Sequence, residues 1–207
     1  MLKSIYCMAA IFVLSACGSN VPVEVQEFKF MIQSDDPAIQ ETAIALMDQY
    51  NEDVGQEVLL LTEYDDEANS FIRFENDLEA QRNILAYGTS IQEMKVSQYP
   101  ETQSKIVYSM DLLFDTENFA SRTGSETDQG SGAWKHLYHL FCHEVGHGLM
   151  MNHAQSKESV MYYSIPENSR ETVNYKTYFE GVRQFFNIQS HDSGYQPGDD
   201  SRLGEEK

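Results

Sequence analysis

Residues 143–153 read His-Glu-Val-Gly-His-Gly-Leu-Met-Met-Asn-His, and this stretch decides how the rest of the chain is interpreted. It falls in a predicted helix, residues 133–150, where residues four apart share one face. The imidazoles of His143 and His147 can therefore reach one Zn²⁺ at about 2.0–2.1 Å. Glu144 flanks the pair and can hold a metal-bound water without binding the metal itself. The stretch predicts a zinc site on a helix.

His153 follows His143 by ten residues, where a third ligand is expected. On an uninterrupted helix it would lie about 240° around from His147 and about 9 Å further along the axis. It cannot share the metal in that position. The zinc hypothesis therefore requires the chain to turn near residues 148–152.

The residues His143, Glu144, His147 and His153 resemble, in register, the metzincin metallopeptidase motif HExxHxxGxxH. A second metzincin motif is a tight turn with a methionine beneath the zinc, and residues 159–162 resemble it with Met161. The short spacing from His153 to Met161 is typical of matrixins. The resemblance implies an α+β fold: a metzincin-like zincin with a mixed twisted sheet, an active-site helix, a Met-turn and a C-terminal helix.

Two features complicate the resemblance. The glycine of the family motif falls on Met150, and a non-glycine residue in a left-handed conformation costs about 1–2 kcal/mol. Gly148 or Asn152 is the alternative place for the unusual backbone angles, and the effect of Met150 on the site stays open. Glu167 is an alternative third ligand, at a spacing like that of thermolysin-type enzymes. That alternative would leave His153 and the Met-turn unexplained.

The resemblance implies a zinc-dependent metalloendopeptidase with a protein or peptide substrate. A metal-activated water would attack the peptide bond, with Glu144 as the general base. Tyr163 is a candidate substrate or oxyanion contact, although the matrixin-like linker favours a place in the wall of the substrate pocket. The alternative function is a catalytically silent metzincin-like lipoprotein that binds a peptide or envelope partner. Glu144 argues against that alternative and Met150 argues for it.

Several nearby residues have simpler interpretations than a site. Cys142 is expected to be a small buried apolar residue. His136 and His139 offer a second metal site, but surface or hydrogen-bonded core histidines are favoured. A set of acidic side chains is expected to be solvated, and binding of a Ca²⁺ ion is the alternative, because Ca²⁺ prefers oxygen ligands. The set comprises Asp111, Asp115, Glu117, Glu126 and Asp128.

The N-terminus is typical of a bacterial lipoprotein. Residues 1–16 read as a signal peptide with Lys3, an apolar run and small residues, and the run is too short to span a membrane. Residues 14–17 resemble the lipobox, in which Cys17 is acylated. This implies a lipid-anchored protein of the bacterial cell envelope, with no other membrane contact. Gly18, in place of Asp, favours the outer membrane.

Composition excludes some functions. The chain has 207 residues, 33 acidic and 14 basic, for a net charge of −19. Such a surface repels phosphate backbones, so no nucleic-acid partner is expected. Hydrophobic residues make up 41% of the chain, enough for a core. We therefore expect a tether at 17–20, one metallopeptidase catalytic domain at 21–190 and a disordered tail at 191–207.

Periodicity predicts the elements of that domain. Strands are expected at residues 21–32, 57–64, 71–74, 83–87 and 105–114. Three helices are expected. The first begins at the acidic cap Asp35-Asp36-Pro37 and ends at Gly55, and the other two span residues 133–150 and 171–188. Residues 116–132 are expected to form a polar loop.

Overall fold

The computed structural model describes residues 28–78, 85–95, 105–123, 131–163 and 173–186, and for 90–95 and 105–108 it describes the backbone alone. The predicted signal peptide, Cys17, the tether and the tail lie outside these residues. The chain divides into two compact units. One comprises Val25–Gln92 and Tyr108–Lys207; the other comprises Met1–Glu24 and Glu93–Val107, of which only short backbone stretches are described.

The fold class is α+β, as predicted. The strands are β1 (Phe28–Gln33), β2 (Leu59–Leu61), β3 (Ser70–Glu75), β4 (Ala86–Lys95) and β5 (Lys105–Asp115). The helices are α1 (Pro37–Val54), α2 (Thr116–Ala120), α3 (Gly132–Gly148) and α4 (Tyr175–Phe185).

The five strands form one mixed sheet in the order β2-β1-β3-β5-β4. Strand β1 pairs in parallel with β2 and β3, and β3 pairs in parallel with β5. The Asp115 N–H donates to the Leu85 carbonyl at 2.9 Å. This bond joins the end of β5 to the start of β4, so those two strands are antiparallel. Strand β4 therefore lies at one edge of the sheet.

The start and end of α1 are as the sequence predicts. Asp36 accepts a hydrogen bond from the Ala38 N–H at 2.9 Å, and Pro37 occupies the first turn. Gly55 ends the helix with φ +83°, a left-handed conformation that glycine adopts without strain. The cap, the proline and the glycine together fix the length of α1.

The core lies between the sheet and the helices α1, α3 and α4. Alternate residues of the strands point into it, since side chains of a strand alternate between faces. Phe30, Ile72 and Phe114 are buried this way. Aromatic edge contacts from Tyr50 join the helices, with ring centroids 6.0 Å from Phe141 and 5.3 Å from Phe179. The core therefore fixes α3, the predicted metal-binding helix, against the sheet.

Some predicted elements were wrong in extent. The predicted loop at 116–132 begins with α2, because Asp115 caps the Asn118 N–H at 2.8 Å and Phe119 is buried. Strand β4 runs to Lys95 rather than ending at residue 87, and β2 has three residues. Helix α3 ends at Gly148 and α4 begins at Tyr175. Within the described residues, no helix has the length and apolar character needed to cross a membrane.

Candidate metal centre

Helix α3 carries the HExxH residues in a buried position. Ser131 caps its start, accepting from the Trp134 N–H at 3.1 Å. Leu137, Phe141 and Val145 are four apart and buried, so they hold one face of α3 in the core. His143 and Glu144 lie on the remaining faces, yet only 7% and 5% of their surfaces are exposed. The core packing of α3 thus places two polar side chains in a nearly water-free position.

The chain reverses directly after α3, where the zinc hypothesis requires it. The Met150 N–H donates to the His147 carbonyl at 2.9 Å, and the Met151 N–H donates to the Gly146 carbonyl at 2.8 Å. This pair of bonds is a Schellman motif, which places one residue in the left-handed region. That residue is Met150, with φ +62°.

The alternative positions for the unusual backbone angles are therefore wrong. Gly148 and Asn152 are not among the described residues with positive φ. Gly148 has a packing role instead, because a Cβ atom there would lie 2.4 Å from the Met110 sulfur. Met150 occupies the position where the metzincin motif has glycine.

This reversal brings His153 back to the two histidines of α3. The Nε2 atom of His147 lies 3.2 Å from Nε2 of His143 and 3.1 Å from Nε2 of His153. Nitrogen atoms about 2.0–2.1 Å from one tetrahedral zinc lie about 3.3 Å from one another. The three side chains therefore lie close enough to hold one metal ion.

Backbone hydrogen bonds orient two of the three rings. Nδ1 of His143 lies 2.8 Å from the Val160 carbonyl, and Nδ1 of His147 lies 3.0 Å from the Met151 carbonyl. A carbonyl only accepts, so each neutral ring donates its one N–H there and keeps a lone pair on Nε2. Lone pairs that face each other at this distance repel unless a cation lies between them. The donor set thus fits a metal ion.

Burial keeps these two histidines in the metal-binding form. It lowers the pKa of His143 to about 4, and the nearby His147 and His153 lower it further, against the opposing effect of the Val160 hydrogen bond. Burial also lowers the pKa of His147. Both rings are neutral at pH 7, and neutral imidazole is the form that binds a metal.

Glu144 follows His143 in α3 and has a partner that the sequence analysis missed. Burial raises the pKa of its carboxyl to about 7, opposed by a hydrogen bond from the Gly88 backbone. A Cβ atom on Gly88 would lie 2.2 Å from the Glu144 carbonyl oxygen. Only glycine allows β4 to approach α3 this closely. Gly88 falls one residue after the strand predicted at 83–87, so a glycine next to that strand was the available signal.

Met161 packs against α3 between His143 and His147. It is buried, and a Cβ atom on Gly146 would lie 2.3 Å from its sulfur. The Ala154 N–H donates to the Met161 carbonyl at 2.7 Å, and the Tyr162 N–H closes the turn onto the Ser159 carbonyl at 3.0 Å. The turn brings the Val160 carbonyl to His143, a backbone contact that no sequence pattern indicates.

The other candidates lie as follows. Tyr163 is 68% exposed, and its ring lies 4.4 Å from that of Tyr162. Cys142 is fully buried, and burial raises the pKa of its thiol, as expected of a core residue. His136 and His139 are buried in α3 and are not part of the three-histidine group.

Nothing in the described residues supports the calcium alternative. The side chain of Asp111 pairs with Arg73 at 3.3 Å, and that of Asp115 caps α2. In the part of the chain that the structure describes, the three histidines are the group that could hold a metal ion. Glu126, Asp128 and Glu167 lie outside the described residues.

Comparison with other proteins assigns no family. No protein-family model matches the sequence, and a search of curated proteins finds no match either.

Proposed function

We propose that this chain is a zinc-dependent metalloendopeptidase of the metzincin type, anchored to the bacterial cell envelope through Cys17. One observation carries the proposal. The Nε2 atoms of His143, His147 and His153 converge, and the buried carboxyl of Glu144 belongs to the residue that follows His143 in the same helix. A site that only bound metal would have no need of a buried carboxyl next to it.

Zinc is the metal proposed for these ligands. Three neutral imidazoles with no thiolate are typical of catalytic zinc sites that keep one position open. When bound there, zinc supplies a Lewis acid and lowers the pKa of a water from 15.7 to about 7. Met161 packs under the turn and is too weak a ligand to compete with imidazole.

Glu144 is the proposed general base. Its carboxyl is held by the Gly88 backbone and lies one residue after His143, so it flanks the place where the attacking water binds. The carboxylate takes the proton of that water and passes it to the leaving amine. Such proton transfer contributes roughly 10²–10⁴-fold to rate.

The edge strand β4 provides a place for a peptide substrate. Within the described residues its partner strand is β5, on one side, which leaves the other edge for an extended chain. Gly88 brings this strand against α3 at Glu144. A peptide paired with β4 would therefore run past the carboxyl.

The order of elements also supports a metzincin. Helix α3 is followed by a backbone reversal, the third histidine, the Met161 turn and then α4. This is the order that the motif resemblance implies, and Met150 at the glycine position is the departure from it.

The test compares three purified proteins: the wild-type chain, Glu144→Ala and the matched control Glu158→Ala, which removes an exposed carboxylate from the loop before Met161. Zinc content is measured by atomic absorption, and casein cleavage is measured with and without a chelator. We expect about one zinc in each protein, chelator-sensitive cleavage by wild type and Glu158→Ala, and a loss of roughly 10²–10⁴-fold in Glu144→Ala.

Two results would contradict the proposal. Full activity in Glu144→Ala would remove Glu144 from the mechanism. Tightly bound zinc without cleavage of casein or of any peptide library would instead favour the catalytically silent binding protein.

A further inference from the structure

We propose that Tyr178, on α4, is a positioning residue for the metal site, holding the helical turn between His143 and His147 in place. The inference rests on the metal-binding part of the proposed function and does not depend on peptidase activity. Tyr178 lies 35 positions after His143 in the chain, and no sequence motif connects it with the histidines.

The first contact is a hydrogen bond to the backbone of α3. The Tyr178 hydroxyl donates to the Cys142 carbonyl at 2.5 Å, in a buried position. In a regular helix this carbonyl also accepts from the N–H of Gly146, and it has a second lone pair free for the hydroxyl. Cys142 directly precedes His143, so the bond acts on the turn that carries both α3 ligands.

The second contact is on the same turn, four residues later. A Cβ atom on Gly146 would lie 3.2 Å from a ring carbon of Tyr178 and 2.3 Å from the Met161 sulfur. Gly146 directly precedes His147. The ring and the sulfur therefore both pack on the backbone between the two ligands, while the residue before Met161 supplies the carbonyl that orients His143.

Tyr178 is itself fixed by its surroundings. Only 6% of its surface is exposed, and its hydroxyl lies 3.3 Å from the hydroxyl of Tyr50 in α1. Because Tyr178 donates its proton to Cys142, Tyr50 donates to Tyr178. Arg183, further along α4, donates to the carbonyls of Asp53 and Val54 at the end of α1. These bonds hold α4 in register, so the hydroxyl cannot shift away from Cys142 without disrupting them.

Tyr50 provides a matched control. Both hydroxyls are buried and bonded to each other, but only Tyr178 donates to the backbone of α3. Tyr50→Phe removes the bond between the tyrosines, whereas Tyr178→Phe removes that bond and the contact with Cys142. The double variant Tyr50→Phe/Tyr178→Phe leaves no buried hydroxyl without its partner.

The experiment measures the Kd for Zn²⁺ by competition with a chromophoric chelator, in the full chain and under conditions where circular dichroism shows each variant folded. The visible absorption of the Co²⁺-loaded proteins reports ligand geometry. We expect Tyr178→Phe and the double variant to raise the Kd about tenfold, at the lower end of the loss that outer partners of metal ligands cause. Their Co²⁺ spectra should shift. Tyr50→Phe should change the Kd less than twofold and leave the spectrum unchanged.

Equal Kd values and equal spectra for Tyr178→Phe and Tyr50→Phe would overturn the inference, since both changes would then act only on the core. If Tyr178→Phe alone does not fold, the double variant carries the same comparison with Tyr50→Phe. A wild-type chain that binds no zinc would overturn the proposed function as well. Zinc binding that is insensitive to Tyr178 overturns only this inference.

Discussion

Met150 adopts the conformation on which the third histidine depends. With φ +62° it lets the chain reverse within two residues of the end of α3, and His153 then reaches Nε2 of His147 at 3.1 Å. Its side chain is 44% exposed, so it is not held there by burial in the core. A left-handed non-glycine residue costs about 1–2 kcal/mol, and the two hydrogen bonds of the Schellman motif offset part of that cost.

The first prediction concerns this strain. Met150→Gly should unfold at higher urea concentration than Met150→Ala, because both remove the exposed side chain but only glycine relieves the strain. The gain in the free energy of unfolding should be about 1 kcal/mol, somewhat reduced by the greater freedom of glycine in the unfolded chain. Equal stability of the two variants would mean that residue 150 is not left-handed in solution.

At this scale the sequence predicted a good deal. Motif spacing identified His143, His147 and His153 and required a reversal at residues 148–152, and the structure has both features. The residue that bears the strain stayed open, because methionine has no preference for the left-handed region. The backbone partners of the histidines could not be predicted, since any residue can supply a carbonyl.

At the scale of elements, the main contact beside the candidate site is the close approach of β4 to α3 at Glu144. Gly88 allows strand and helix backbones to come together beside Glu144, where one more carbon would overlap the carbonyl oxygen. The sequence predicted β4 as a shorter strand and gave no role to its glycine. Helix α2 was missed for a related reason: its cap at Asp115 and its buried Phe119 occupy a few residues of an otherwise polar stretch.

The second prediction tests this contact. Gly88→Ala should lower the free energy of unfolding by about 2–3 kcal/mol, because rigid backbone rather than a flexible side chain meets the new carbon. Gly55→Ala is the control: it has positive φ but open space around it, so only about 1 kcal/mol of strain is expected. Urea titration of both variants gives the comparison. A Gly88→Ala protein as stable as wild type would show that β4 does not contact α3.

At the scale of the whole molecule, the candidate metal site joins segments far apart in sequence. Helix α3, the reversal at Met150 and the turn at Met161 meet at the three histidines, and α4 packs behind them. The order of the strands in the sheet could not be predicted from periodicity, which reports on single segments. The pairing of β1 with both β2 and β3 depends on contacts between residues far apart in sequence. Cys142 is free and buried, so these segments are joined by packing and, in our proposal, by zinc.

The third prediction follows from this linkage. A metal that binds only the folded chain stabilises it by about 4 kcal/mol at a free concentration of 1,000 times its Kd. For a domain of this size, that corresponds to a Tm about 8–16 °C higher with zinc than with a chelator. His153→Ala should lose most of this difference while its metal-free Tm stays near that of wild type. A wild-type Tm that is the same with zinc and with a chelator would contradict this prediction, because zinc would then not stabilise the folded chain.

The most direct test of the central claim is zinc-edge X-ray absorption of the full chain loaded with one equivalent of zinc. The account predicts three imidazole nitrogens at about 2.0–2.1 Å, one further light ligand and no sulfur, although Cys142 and Met161 both lie close to the histidines. His153→Ala should reduce the imidazole count by one. A sulfur ligand at about 2.3 Å, or fewer than three imidazoles in the wild-type protein, would contradict it.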